Sequence, residues 1–140
     1  MSKKIFASPQ DVETAFYESL ERGDLDTMMA IWSEDDEVVC VHPGGPRLVG
    51  YATVREGWKR IFDNGSRLEV RRLLLHTVTT PFAVMHSLIE QIGIPGREVA
   101  TAPVVATNLY TRGPLGWRMV AHHASPMPPD SLVELPKTLH

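Results

Sequence analysis

One change of rhythm limits this chain's fold more than any other feature. Up to Gly65 the apolar residues recur every three or four positions; beyond it they alternate or run in short apolar blocks. The first pattern buries one stripe of a helix and the second one face of a strand. A chain that switches once in this way is α+β rather than βαβ.

The helical part is punctuated clearly. Ser8 is an N-cap, Pro9 suits the first helical position, and Asp11 and Glu13 fit the positive end of the helix dipole. Val12, Ala15, Phe16, Ser19 and Leu20 follow at helical spacing until Gly23 stops the run. Asp24 caps a shorter helix carrying Leu25, Met28, Met29 and Trp32. The polar SEDDE connection leads into a strand, Val38 to His42, which Gly44, Gly45 and Pro46 break. A third helix spans roughly Tyr51 to Asn64, with Val54, Trp58, Ile61 and Phe62 as its apolar stripe.

Four strands are predicted after Gly65: Arg67–Thr79, Phe82–Gly93, Arg97–Arg112 and Trp117–Ser125. Their short links imply an antiparallel meander. The prolines at 126, 128, 129 and 136 exclude a central strand there, leaving a Pro-rich tail over 126–140 and an arm over 1–7. At 140 residues the chain forms one domain, 1–140. Helices that incompletely fill a curved sheet leave an apolar hollow.

Composition narrows the function classes. A net charge of -3 gives no footprint for nucleic acid, and no apolar run is long enough for a signal peptide or membrane span. The single cysteine, Cys40, suits a reducing compartment, so the expectation is a cytoplasmic protein. No nucleotide-binding or zinc-finger spacing occurs. His42, His123 and His76 or His86 lack the pair spacing of a metal site, so neither metal nor cofactor is expected.

Three segments in order, RGDLDTMMAIWSEDDEVVCVHPGG (22–45), GYATVREGW (50–58) and GWRMVAHHASP (116–126), resemble the nuclear transport factor 2-like superfamily in its SnoaL-like branch. The resemblance implies a cone-shaped, cystatin-like fold of three helices on a curved, mostly antiparallel sheet. It also implies an apolar pocket and a homodimer formed through the sheet's outer face. Functions in the superfamily range from ketosteroid isomerase, cyclase and dehydratase to carrier and association domain, so fold does not decide function.

His42 matches the place where the isomerases carry an aspartate, followed by proline, as proton shuttle. An imidazole suits that task because it titrates near neutrality. The isomerases' oxyanion tyrosine falls on Phe16, with Tyr17 turned about 100° away along the helix. Their late-strand acid falls near Thr107 or Asn108, which makes steroid isomerisation by that route an unsuitable assignment.

In the last strand Trp117, Met119, Ala121, His123 and Ser125 share one parity, which places His123 inward and His122 outward. Strand parity leaves the facing of His76 and His86 open, with a bulge anticipated in VRRLLLHTV. The expected catalytic set is His42, His123 and Asn108. The expected ligand wall is Phe16, Trp32, Trp58, Met85, Trp117 and Tyr51. The reaction implied is cofactor-free isomerisation, cyclisation or dehydration of a small, apolar, carbonyl-bearing molecule. The alternatives are a ligand-binding module without turnover and a dimeric association domain.

Overall fold

A computed structural model describes residues 4–65, 68–93 and 103–128. Two helices, two short strands and a third helix precede four long strands: α1 Pro9–Arg22, α2 Leu25–Ile31, β1 Val39–Val41, β2 Arg47–Val49, α3 Tyr51–Asp63, β3 Glu69–Thr79, β4 Ala83–Gly93, β5 Val104–Gly113 and β6 Gly116–Pro126. The predicted 97–102 portion of β5 and the tail beyond Pro128 lie outside the described residues.

The helix ends are those the residues dictate. The Asp11 amide donates to the Ser8 hydroxyl at 3.1 Å, and Gly23 closes α1 in the left-handed region at φ 67°. Asp24 accepts from the Thr27 amide at 3.1 Å and caps α2. Gly50, at φ 94°, turns the chain into α3 while its amide donates to the Val38 carbonyl.

The sheet order is β2-β1-β6-β5-β4-β3. The last four strands form the predicted antiparallel meander, while β1 joins β6 in parallel. Strand β2 was not foreseen: three residues between Pro46 and Gly50 are too few to display a period, yet they pair antiparallel with β1.

Two bulges set which side chains enter the core. Leu75 is the extra residue in β3, where the pairing moves from Leu74 to His76. Val120 is the extra residue in β6, where Leu109 pairs with Ala121 but Tyr110 pairs with Met119. Each bulge reverses the alternation beyond it. The inner face therefore carries a cross-strand row of His86, Asn108, His122 and Cys40, adjacent in register. Helix α1 lies over this row and buries Val12, Glu13, Ala15, Phe16, Tyr17, Ser19 and Leu20.

Candidate active site

The HPGG segment is a tight turn. The Gly45 amide donates to the His42 carbonyl at 2.8 Å, with Pro43 fixing one central residue and Gly44 the other at φ 73°. Pro at the first and left-handed Gly at the second central position are the needs of a type II turn. This turn ends β1 and leaves His42 half-buried beside α3. Its ring meets the Trp58 indole edge-on, with centroids 4.5 Å apart, and its Nε2 lies 3.8 Å from the Cys40 sulfur. Gly57 admits the imidazole closely: a Cβ there would lie 3.6 Å from His42 Nε2 and 2.4 Å from Leu48 Cδ1.

His122 joins the same aromatic cluster. Its ring is 4.8 Å from Phe16 and 6.3 Å from Trp58, and Phe16 itself packs edge-on to Trp58 at 5.5 Å. Burial holds the His42 imidazole below its ordinary pKa. Burial, reinforced by the neighbouring His42 and His123, takes His122 down to about 3, so it is neutral at physiological pH. The Cys40 thiol is pushed up to about 12 by burial and then by Glu90, which removes it as a nucleophile.

Behind the cluster runs a chain of buried hydrogen bonds. His122 Nδ1 is 2.6 Å from Asn108 Oδ1, Asn108 Nδ2 donates to the Tyr17 hydroxyl at 3.1 Å, and Tyr17 donates to Glu90 Oε2 at 2.5 Å. A second group adjoins it. His86 Nδ1 and the Tyr110 hydroxyl (2.9 Å) both donate to Glu13 Oε2, while Arg72 lies 3.9 Å from Glu13 Oε1 and stacks over the Tyr17 ring at 4.5 Å. The Glu13 carboxylate is near enough for its charge to act on Glu90. Burial first, then the Glu13 charge, carry Glu90 up to about 7 against the lowering effects of Tyr17 and Arg72.

These shifts set opposite slopes of stability with pH. Folded Glu90 keeps its proton to about 7 while the unfolded side chain releases it at 4.5, so stability falls as pH rises through that window. His122 takes a proton at 6.5 when unfolded but only near 3 when folded, so stability falls as pH drops through that one. The two oppose each other between 4.5 and 6.5. In Glu90→Gln the falling limb toward neutral pH is expected to vanish, leaving stability rising to about 6.5 and flat above it. Urea unfolding midpoints across pH 4 to 8 measure this; an unchanged profile would contradict it.

The structure brings together His42, Trp58, Phe16 and Asn108 from the expected set, with Asn108 reaching the corner through His122. His123 is not among them. The Val120 bulge reverses the parity, so His122 is buried and His123 is exposed. Met85 lies between inward Val84 and His86 and pairs with Leu109, which places it on the outer face. Trp117 is buried near Phe6, whose carbonyl accepts from its amide at 2.9 Å. Tyr51 donates to the Met29 carbonyl at 3.0 Å. Trp32 lines a separate cleft of about 490 Å³ near the β5–β6 turn, with Lys4, Leu115 and Arg118 among the walls. His86 faces inward and His76 outward.

Tyr17, Glu13, Glu90, Tyr110 and His122 were missed by the reading of the sequence. A narrow helical stripe excludes Tyr17, but α1 buries a wide face, and Phe16 and Tyr17 meet edge-on at 4.8 Å. A glutamate inside an apolar strand, LIEQI, was the available signal for Glu90.

Three helices on this six-stranded sheet form the class of fold called nuclear transport factor 2-like or cystatin-like. Residues 10–129 match the SnoaL-like domain, and the chain belongs to that family. It is 37% identical to a protein of Thiobacillus denitrificans provisionally named a calcium/calmodulin-dependent protein kinase type II association domain, with a TM-score of 0.84 covering 89% of this chain and 98% of that one. It is 32% identical to a Streptomyces avermitilis protein provisionally named a dehydratase of the nuclear transport factor 2-like family, with a TM-score of 0.72 covering 83% and 91%. Over 116 residues it is 27% identical to the F-box protein SKIP8 of Arabidopsis thaliana. That alignment takes in 83% of this chain, which spans about half, 48%, of the F-box protein's length.

Among the described residues, no helix is long and apolar enough to cross a membrane. Nor do the described residues include a group of three or more His, Cys, Asp or Glu that could hold a metal ion.

Proposed function

We propose that this SnoaL-like domain takes a small, mostly apolar, carbonyl-bearing molecule beside His42 and moves a proton on it without a cofactor, as an isomerase or dehydratase does. The observation that carries this reading is the Trp58 corner. The indole is 4.5 Å from the His42 ring and 6.3 Å from the His122 ring, and its N–H has no hydrogen-bond partner among the described residues. A buried donor without a partner is costly, and a ligand oxygen would satisfy it. Held there, a carbonyl would have its α-carbon within reach of an uncharged imidazole. His42, more exposed than His122, is the base; His122 and its hydrogen-bond chain fix the polar side of the corner. The relative named as a dehydratase supports the same class of chemistry.

Exchange of α-deuterons from a panel of cyclic ketones, followed by proton NMR, tests the proposal. Saturable exchange that needs His42 supports it; exchange no faster than in His42→Ala contradicts it.

A second reading has its own observation. Leu74, Leu75, Val78 and Phe82 are 50%, 51%, 46% and 69% exposed along β3 and the turn after it. Leu74 is in register with inner Leu88 and Val78 with outer Met85, so the apolar side chains flank both sides of one edge strand, an arrangement that favours contact with another chain. The resemblance to a protein named as an association domain, and to a longer F-box protein, favours a homodimer or a larger assembly through this edge of the sheet. The Val78→Lys variant is expected to weaken self-association by ~10-fold or more. Light scattering across a dilution series measures it, and unchanged mass at every concentration would remove this surface from consideration. The lone cysteine is free, which favours a reducing, cytoplasmic setting for either role.

A further inference from the structure

The buried chain from His122 to Glu90 has a direction, and that direction has a chemical consequence. An ionised Glu90 can only accept a hydrogen bond. Tyr17, 2.5 Å away, must then give its hydroxyl proton to Glu90, so its oxygen is free only to accept from Asn108. That turns the Asn108 amide nitrogen toward Tyr17 and its oxygen toward His122. The oxygen in turn requires a proton on His122 Nδ1, 2.6 Å distant. A neutral imidazole with its proton on Nδ1 has none on Nε2.

We propose that Glu90 is a positioning residue which, acting through Tyr17 and Asn108, holds His122 in the Nδ1–H tautomer and keeps its Nε2 a bare acceptor. When Glu90 is protonated and aims that proton at Tyr17, every link reverses. Glu90 donates to Tyr17, Tyr17 to the turned Asn108 amide, and Asn108 to Nδ1, which moves the His122 proton to Nε2. One carboxyl therefore decides whether His122 accepts or donates a hydrogen bond in the corner it shares with Trp58 and Phe16.

The groups around Glu90 fit this assignment. Arg72, its partner in β3, stacks on the Tyr17 ring and favours the ionised form. Glu13 on α1 opposes it, and Glu13 is itself tied to His86 of β4 and Tyr110 of β5. Val104 is the neighbour on β5, and Cys40 of β1 stays a thiol. With burial raising Glu90 to about 7, the reversal falls near neutral pH.

The consequence for a reaction rests on the proton-transfer reading above; the tautomer does not. The test is ¹⁵N NMR of the intact chain labelled at histidine, with His122 identified by its loss in His122→Gln. Above pH 8 the expected result is an excess of the Nδ1–H form over the Nε2–H form of about tenfold, the scale of a charge-assisted hydrogen bond. Lowering the pH through 7 should shift His122 toward Nε2–H with no imidazolium signal. Both Glu90→Gln and Tyr17→Phe should bring the two tautomers to comparable populations at high pH; Tyr17→Phe cuts the chain while leaving the carboxyl in place.

An Nε2–H form dominant at high pH would overturn the proposal. So would a tautomer ratio unaffected by either variant, because His122 would then be held without Glu90. Loss of ketone exchange in a chain that still shows the expected tautomers would fail the proton-transfer reading alone.

Discussion

Replacing His42 by alanine is expected to slow the deuteron exchange of a bound ketone by ~100-fold or more, the usual scale of a lost general base. Pro43 and Gly44 end β1 abruptly, so the imidazole stands at the strand's edge, half-buried against Trp58 rather than packed into the core. Burial lowers its pKa, so it is uncharged at neutral pH and able to accept a proton. His122 is a poor substitute, because its ring is buried and that burial holds it down to about 3, which makes it a weak base. The fold should survive, since His42 makes one edge-on ring contact and one long contact with sulfur. Circular dichroism and the urea midpoint would confirm that the variant is folded while exchange is lost. A folded His42→Ala variant exchanging at the wild-type rate would remove His42 from the chemistry.

Glu13→Ala is expected to cost stability, about 3–5 kcal/mol, from breaking a buried charged network. The Glu13 carboxylate accepts from His86 Nδ1 and the Tyr110 hydroxyl through one oxygen and lies near Arg72 through the other. Without it both buried donors lose their partner, and His86 Nε2 already has none among the described residues. Each orphaned buried donor costs about 1–3 kcal/mol. Glu13→Gln, which retains an acceptor oxygen, should lose much less. Chemical unfolding with unchanged slope measures both, and a loss below about 1 kcal/mol in Glu13→Ala would mean that His86 and Tyr110 find water or another acceptor.

Much of the framework was legible because local chemistry decides it. Ser8, Pro9, Gly23, Asp24 and Gly50 fix helix ends through hydrogen bonds to their own backbone or through their own φ angles. The change of period at Gly65 located the strands to within a few residues over their described parts. The corner was legible where it depends on a turn: His42 before Pro-Gly-Gly stands beside the predicted Trp58.

What escaped depends on events that alternation cannot register. A bulge at Val120 adds one residue, and every side chain after it changes face; counting parity from Trp117 therefore exchanged His122 and His123. Strand β4 is apolar on both faces, with Val84 and Leu88 inside and Met85 and Ile89 outside, so hydrophobicity could not place Met85. The network of Glu13, Tyr17, Glu90 and Asn108 joins α1 to β4 and β5 across 73 to 91 residues, and no local pattern announces such pairings.

The pH dependence of ketone deuteron exchange tests the central claim most directly, because it reports the ionisation of the working base. With His42 as that base, the rate should rise with pH and level off, the inflection lying below the ordinary histidine value of 6.5, and His42→Ala should abolish this limb. A limb that persists unchanged in His42→Ala would place the base elsewhere and contradict the account.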